Sequence, residues 1–246
     1  MPNIPPEIQQ LIPQVRQQYP QLPGLPDEAV AQLILQAMQQ QAAPPAEADI
    51  ETMTAHECIA YGERLLNTGQ WQEAERYFLA ALEKAEQAND LDSQMRACTT
   101  LGRLCRDRGD LPQAMQLYQH ALALAERLSD RRQQGVIYDQ MGTTYSMQGR
   151  YPQAIEYYRK SLEITDMGDE QGLAVGYGNL GNVYLQQGDL ERAIQAYKRT
   201  LELFIKIGEE RGGAQAYGNL GIVYQRQGRF DLAIEMHQKN LEIALR

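Results

Sequence analysis

One stretch of this chain recurs five times, and that repetition constrains the fold more than any single motif. Residues 180–204 (LGNVYLQQGDLERAIQAYKRTLELF) give the clearest copy. The others are residues 61–85, 101–125, 141–165 and 220–244, aligned without gaps. Glycines at one place in every copy (Gly69, Gly109, Gly149, Gly188 and Gly228) set the period at 40, 40, 39 and 40 residues. A fixed period of this size marks a solenoid, in which each unit buries its apolar face only against its neighbours.

The recurring residues have separate physical jobs. Gly62, Gly102, Gly142, Gly181 and Gly221 fall midway along apolar helical patterns. Glycine inside a helix costs about 1 kcal/mol against alanine, so five at one phase point to a helix crossing that needs the room. Ala74, Ala114, Ala154, Ala193 and Ala233 are the natural small partners in that crossing. Leu65, Cys105, Tyr145, Tyr184 and Tyr224 fill the interface from the first helix; Phe78, Tyr118, Tyr158, Tyr197 and His237 fill it from the second. Their spacings of three, four and seven make one helical stripe. The glycines from Gly69 onward end the first helix. An apolar anchor follows (Trp71, Leu111, Tyr151, Leu190, Phe230), and Pro112 and Pro152 suit the first turn of a new helix. Asn89-Asp90, Ser129-Asp130, Gly168-Asp169 and Gly208-Glu209 are stop and start signals between repeats. The pattern predicts first helices near 52–67, 91–107, 131–147, 170–186 and 210–226. Second helices are expected near 71–88, 112–128, 152–166, 190–206 and 230–245.

The series Tyr177-Leu180-Gly181-Tyr184, then Gly188, Ala193 and Tyr197, resembles the tetratricopeptide repeat, over about residues 52–246. Two departures stand out. The usual period is 34 residues, and the proline that ends the second helix is replaced by Glu86, Glu126, Asp166 and Ile205. That longer variant is similar to the repeats of Pins-type adaptors, kinesin light chains and Rap-type regulators, the Pins type most of all. The resemblance implies an all-α fold, a right-handed α-solenoid of five helix pairs with an N-terminal helical arm. The repeats then cover about 51–90, 91–130, 131–169, 170–209 and 210–246, with residues 1–50 as a Pro/Gln-rich arm and linker.

Composition narrows the function. The net charge of −9 argues against nucleic-acid binding, which needs a basic face. No signal-peptide pattern and no membrane-length apolar run appears, so a cytoplasmic protein without membrane contact is expected. Cys58, Cys98 and Cys105 are too few for a disulfide framework and lack metal-ligand spacing, so no metal is expected. His237 takes an aromatic packing position and is expected in the core. No catalytic motif appears, and Gly176-x-Gly178-x-x-Gly181 follows no strand, so it forms no phosphate cradle. No enzyme and no cofactor are expected.

In the N-terminal arm Ile8, Leu11, Ile12 and Val15 have helical spacing interrupted by Pro13, and Pro20, Pro23 and Pro26 form a stiff connector. A helix then opens at Asp27-Glu28, with Val30, Leu33, Ile34, Ala37 and Met38 on one stripe, before an Ala/Pro linker at 42–48. The arm is a candidate cap for the first repeat; the other readings are a self-peptide folded into the groove, a tether for a partner, or a disordered segment. The sequence stops inside the last second helix, so Leu232, Ile243 and Leu245 are expected to lack cover, which implies a longer protein or self-association through that end.

In tetratricopeptide arrays the first helices line the concave groove. The resemblance puts Arg96, Thr100, Arg103 and Arg106 of repeat two there, with Asp139 and Gln140 of repeat three, Asn179 and Asn182 of repeat four, and Asn219, Gln225 and Arg226 of repeat five. Ile59, Val136, Met147, Val175, Leu185 and Ile222 join them. Asn179 and Asn219 are equivalent, and an amide both donates and accepts, which matches an extended peptide backbone. Gly178 and Gly218 before them remove side chains that would hold a ligand off. Three arginines on one helix face favour a carboxylate-bearing partner, unless they pair within the groove with Glu63, Asp107 or Asp139. The expected function is a protein-interaction adaptor that binds an extended peptide with an acidic segment. The alternatives are a Rap-like regulator, phosphatase or sensor, and a structural oligomerisation scaffold.

Overall fold

The computed structural model describes residues 12–13, 26–27, 29–31, 49–165 and 168–245. From 55 to 244 the chain runs α1 (Ala55–Asn67), α2 (Trp71–Gln87), α3 (Leu91–Asp107), α4 (Leu111–Arg127), α5 (Arg131–Met147), α6 (Tyr151–Ile164), α7 (Glu170–Gln187), α8 (Leu190–Ile207), α9 (Glu210–Arg226) and α10 (Phe230–Ala244). The described residues contain no strand. Most of the N-terminal arm lies outside the described residues. Within them, the Val30 amide bonds the Pro26 carbonyl at 3.1 Å, and Val30 and Ala31 are helical and buried.

Local chemistry sets each boundary. The carboxylates of Asp90, Asp130 and Asp169 accept the backbone N–H groups of Ser93, Gln133 and Gly172 at 3.2, 3.0 and 2.8 Å. Glu209 does the same for Gly212. Such a cap is worth about 1 kcal/mol, because it satisfies a donor the helix itself leaves open. Thr54 and Glu57 close a reciprocal capping box at the start of α1, and those hydrogen bonds hold the Glu57 carboxyl below its ordinary value. Between the helices of each pair the turn glycines have φ between 71 and 89°, a left-handed conformation that side chains resist. Pro112 and Pro152 stand in the first turn of α4 and α6.

Packing follows the glycine periodicity. A Cβ placed on Gly181 would lie 2.6 Å from the Tyr197 ring. The same contact recurs between Gly62 and Phe78, Gly102 and Tyr118, and Gly142 and Tyr158, at 2.8, 2.7 and 2.8 Å. The alanines Ala74 to Ala233 are buried in these interfaces, but the atoms nearest the glycines belong to the rings. The buried clusters each span consecutive repeats, so the core is continuous along the array. Cys58, Cys98 and Cys105 are buried free thiols within it, and burial pushes Cys98 up to about 11.

Three packing expectations change. Trp71 and Phe230 are 48% and 63% exposed, so the residue two after the turn glycine is no buried anchor there; it is the first residue of its helix, ahead of the stripe that packs. His237 keeps its ring over Gly221 yet is exposed, because no later helix among the described residues covers α10. Leu232 and Ile243 are half-buried, and the uncovered residues are Ile234, Leu241 and Leu245. Leu82, Leu122, Leu162 and Leu201 occupy the position of Leu241 in the other repeats, and each is half-buried in its cluster.

Candidate peptide-binding groove

Consecutive first helices (α1 with α3, α3 with α5, α5 with α7) touch one another, whereas consecutive second helices are splayed apart. The first helices therefore line the inner, concave side. Along each, positions spaced four, three and four form one stripe. Repeat two shows Arg96, Thr100, Arg103 and Asp107, and repeat three Val136, Gln140, Thr143 and Met147. Repeat four shows Val175, Asn179, Asn182 and Gln186, and repeat five Gln215, Asn219, Ile222 and Arg226. Ile59 is fully buried and does not line the groove. Its packing in the first repeat's core takes the place of a groove position.

Much of the groove's polar chemistry stitches repeats together. Arg96 contacts His56 at 3.1 Å and Glu63 at 3.9 Å. Arg106 pairs with Asp107 at 2.8 Å and donates to the side-chain amide oxygen (Oε1) of Gln140 in the next repeat. Ser146 donates to Gln186 at 3.3 Å, and Arg226 donates to the Leu185 carbonyl at 3.2 Å. The Thr100 hydroxyl bonds back to the Arg96 carbonyl. Asn182 accepts the Tyr197 hydroxyl at 2.7 Å. What remains, with no side-chain hydrogen bond or ion pair among the described residues, is Arg103, Asn179, Gln215, Asn219 and Gln225. Arg103 is exposed and the two asparagines are half-buried. A Cβ on Gly178 would make only ordinary contact with Thr200, so packing does not demand that glycine; on Gly218 it would come within 3.0 Å of Asn240.

This architecture has known counterparts. Models of the tetratricopeptide repeat match residues 51–127, 95–166 and 172–246. The chain belongs to the tetratricopeptide-repeat family. The structure of BtubC from P. vanneervenii superposes with a TM-score of 0.69 at 22% identity, covering 77% of this chain and 79% of that one. A putative kinesin light chain from Podosopora anserina gives 0.63 at 18%, covering 76% and 93%. A signal transduction ATPase with a tetratricopeptide-repeat sensor, from Pyrococcus horikoshii, gives 0.69 at 18%, covering 89% of this chain and 34% of that one. Among the curated proteins none matches. Tetratricopeptide-repeat proteins are in general protein–protein interaction adaptors.

Among the described residues two buried polar atoms lack a hydrogen-bond partner, and the sequence did not flag either. In repeats three and four the ring over the glycine crossing finds a partner fifteen residues earlier: Tyr158 with Thr143 at 3.0 Å, Tyr197 with Asn182. In repeat two that position is Arg103, and the enclosed Tyr118 hydroxyl has no partner. Asp139 is the second case. Its Oδ1 is enclosed without a partner, and burial pushes the carboxyl up to about 7, with Ser161 acting weakly the other way. The signal for the first was the spacing of fifteen between first-helix polar residue and second-helix tyrosine; Asp139 had none in the sequence.

Outside the groove the chemistry is already spent. A cleft of about 430 Å³ opens between α6, α7 and α8, lined by Arg159, Tyr177, Tyr184 and Arg192 among others. Arg192 lies over the Tyr184 ring at 4.8 Å, and Arg159 donates to its hydroxyl at 3.4 Å. Among the described residues no His/Cys/Asp/Glu cluster could hold a metal, and no helix is long and apolar enough to cross a membrane.

Proposed function

We propose that this tetratricopeptide-repeat protein is a binding module that holds an extended segment of a partner protein in its concave groove, with an acidic residue of that segment at Arg103 and its backbone at Asn179 and Asn219. One observation carries the reading. Repeats three and four place Thr143 or Asn182 where the tyrosine hydroxyl needs a partner, and repeat two instead places an exposed, unpaired arginine there. An enclosed hydroxyl left unsatisfied costs about 1–3 kcal/mol. A residue kept against its own fold's interest points to a use outside the fold. The half-buried amides of Asn179 and Asn219 are unspent in the same way.

Titration of an identified partner at two salt concentrations tests this. Arg103→Glu should weaken binding, slow association and flatten the salt dependence, because the arginine acts through a charge that salt screens. Asn219→Ala should weaken binding by roughly 1–3 kcal/mol with the salt dependence kept. Arg103→Asn separates function from fold: it should lose affinity while melting higher than the parent, since the amide supplies Tyr118 with the partner that Asn182 gives Tyr197. Partner binding unchanged by all three variants would remove the groove from consideration.

A second reading, self-association through the end of the array, is favoured by Leu241, which is 58% exposed where its four counterparts are half-buried. Sedimentation should show concentration-dependent association that Leu241→Glu abolishes. A monomer at all concentrations would exclude it.

A further inference from the structure

We infer that the groove selects a two-part partner segment, acidic over repeat two and apolar on the side that faces Val136 and Val175 over repeats three and four; this rests on the groove reading above. The observation is the distribution of exposed apolar side chains. Val136 and Val175 are 41% and 46% exposed and occupy the same position of consecutive helices α5 and α7. Met147, 55% exposed, stands at the other end of α5, and its counterpart on α7 is the polar Gln186, to which Ser146 donates at 3.3 Å. Isolated exposed apolar residues are ordinary, but two at one position of neighbouring helices facing one groove form a patch.

The geometry suits an extended chain. On α5, Val136 and Met147 lie on one stripe about 16 Å apart, at 1.5 Å per residue, with Gln140 and Thr143 between them. On α7 Asn179 sits in the same central row. A segment crossing the helices along that row presents its backbone to the amides. Its successive side chains point to opposite sides, one toward Val136 and Val175, the next toward Met147 and Gln186. The first row is apolar and the second mixed, so the segment is apolar on the face turned to Val136 and Val175. Packed helices lie about 8–10 Å apart and an extended chain rises about 3.3 Å per residue, so roughly three residues span one repeat. An acidic side chain at Arg103 then lies roughly three to six residues from the apolar stretch. Among the described residues Arg103 is a groove cation with neither an ion pair nor a hydrogen bond, and the protein carries a net negative charge, so this end is the place where a carboxylate is welcome.

Panning random phage-displayed peptides on the protein tests the inference without a known partner. Selected peptides should carry an acidic residue next to a short stretch with apolar residues at alternate positions. Synthetic copies should lose about tenfold in affinity or more on Arg103→Glu and on Val175→Asp, and several-fold on Val175→Ser, with melting temperatures of the serine variant and parent alike. Peptides that lose binding on Asn179→Ala or Asn219→Ala but show no acidic–apolar pattern overturn the inference and leave the groove reading standing. Peptides indifferent to every groove variant, or no selected peptide at all, overturn both.

Discussion

Gly181→Leu should unfold the array at a temperature about 6–12 °C below the parent, the largest loss expected from any single substitution in the repeats. A bare Cβ at this position already lies within 3.0 Å of three atoms of the Tyr197 ring. Tyr197 is fully buried and its hydroxyl is tied to Asn182, so the ring has nowhere to turn. Adding an isobutyl group forces α7 and α8 apart and breaks that hydrogen bond, a penalty of roughly 3 kcal/mol or more. Since each repeat is stabilised by its neighbours, the damage spreads into repeats three and five. Gly221→Leu is the control. Its Cβ would come still closer to a ring, 2.5 Å from His237, but that ring is exposed and can swing aside. Gly221→Leu should therefore cost far less. Equal melting of the two variants would show that proximity alone, without confinement of the ring, sets the cost.

That contrast also shows what the repetition made legible. Five glycines at one phase announced a crossing, and five at another announced the turns, because each position answers to backbone geometry that recurs in every unit. Capping residues were legible for the same reason: Asp90, Asp130 and Asp169 bond only atoms three residues away. The end of the array was less legible. His237 and Leu241 have interior identities, and their exposure depends on what lies beyond α10. The groove was legible as a face but not as a budget of hydrogen bonds. Arg96, Arg103 and Arg106 look equivalent on the helix, yet Arg106 reaches Gln140 and Arg96 reaches His56 across repeat boundaries. Only side-chain placement shows that Arg103 is left over. Asp139 looked like one more polar groove residue, and its enclosure depends on α6, through Ser161 and Tyr158.

Asp139 gives the second large effect, a stability that falls as the pH rises. Burial raises its carboxyl to about 7, from an ordinary value near 3.9 in the unfolded chain. Between those two values the folded state holds a proton that the unfolded state has already released. The contribution of Asp139 to stability is thus greatest below about pH 4, declines through the window from about 4 to 7, and is flat above it. Each pH unit in the window is worth up to about 1.4 kcal/mol, so the fall amounts to roughly 2–4 kcal/mol once water at the open groove is allowed for. The groups around Asp139 sharpen the effect. Tyr158 is itself raised by burial, with the Asp139 charge adding to it, and Arg106 is held by Asp107 and Gln140. None of them supplies the carboxylate with a counter-charge. Carboxyls with lowered values, Glu57, Asp90, Glu170 and Asp189, act in the opposite sense, losing their contribution as the pH falls through their own lower range. A difference between parent and variant cancels them. Asp139→Asn keeps the shape without the charge, so it should melt above the parent at pH 8 and converge with it near pH 4. Parallel melting curves across that range would show that Asp139 ionises normally and is solvated from the groove. If the convergence is found, an acidic partner has a reason to bind better below pH 7, where repeat three carries one negative charge fewer.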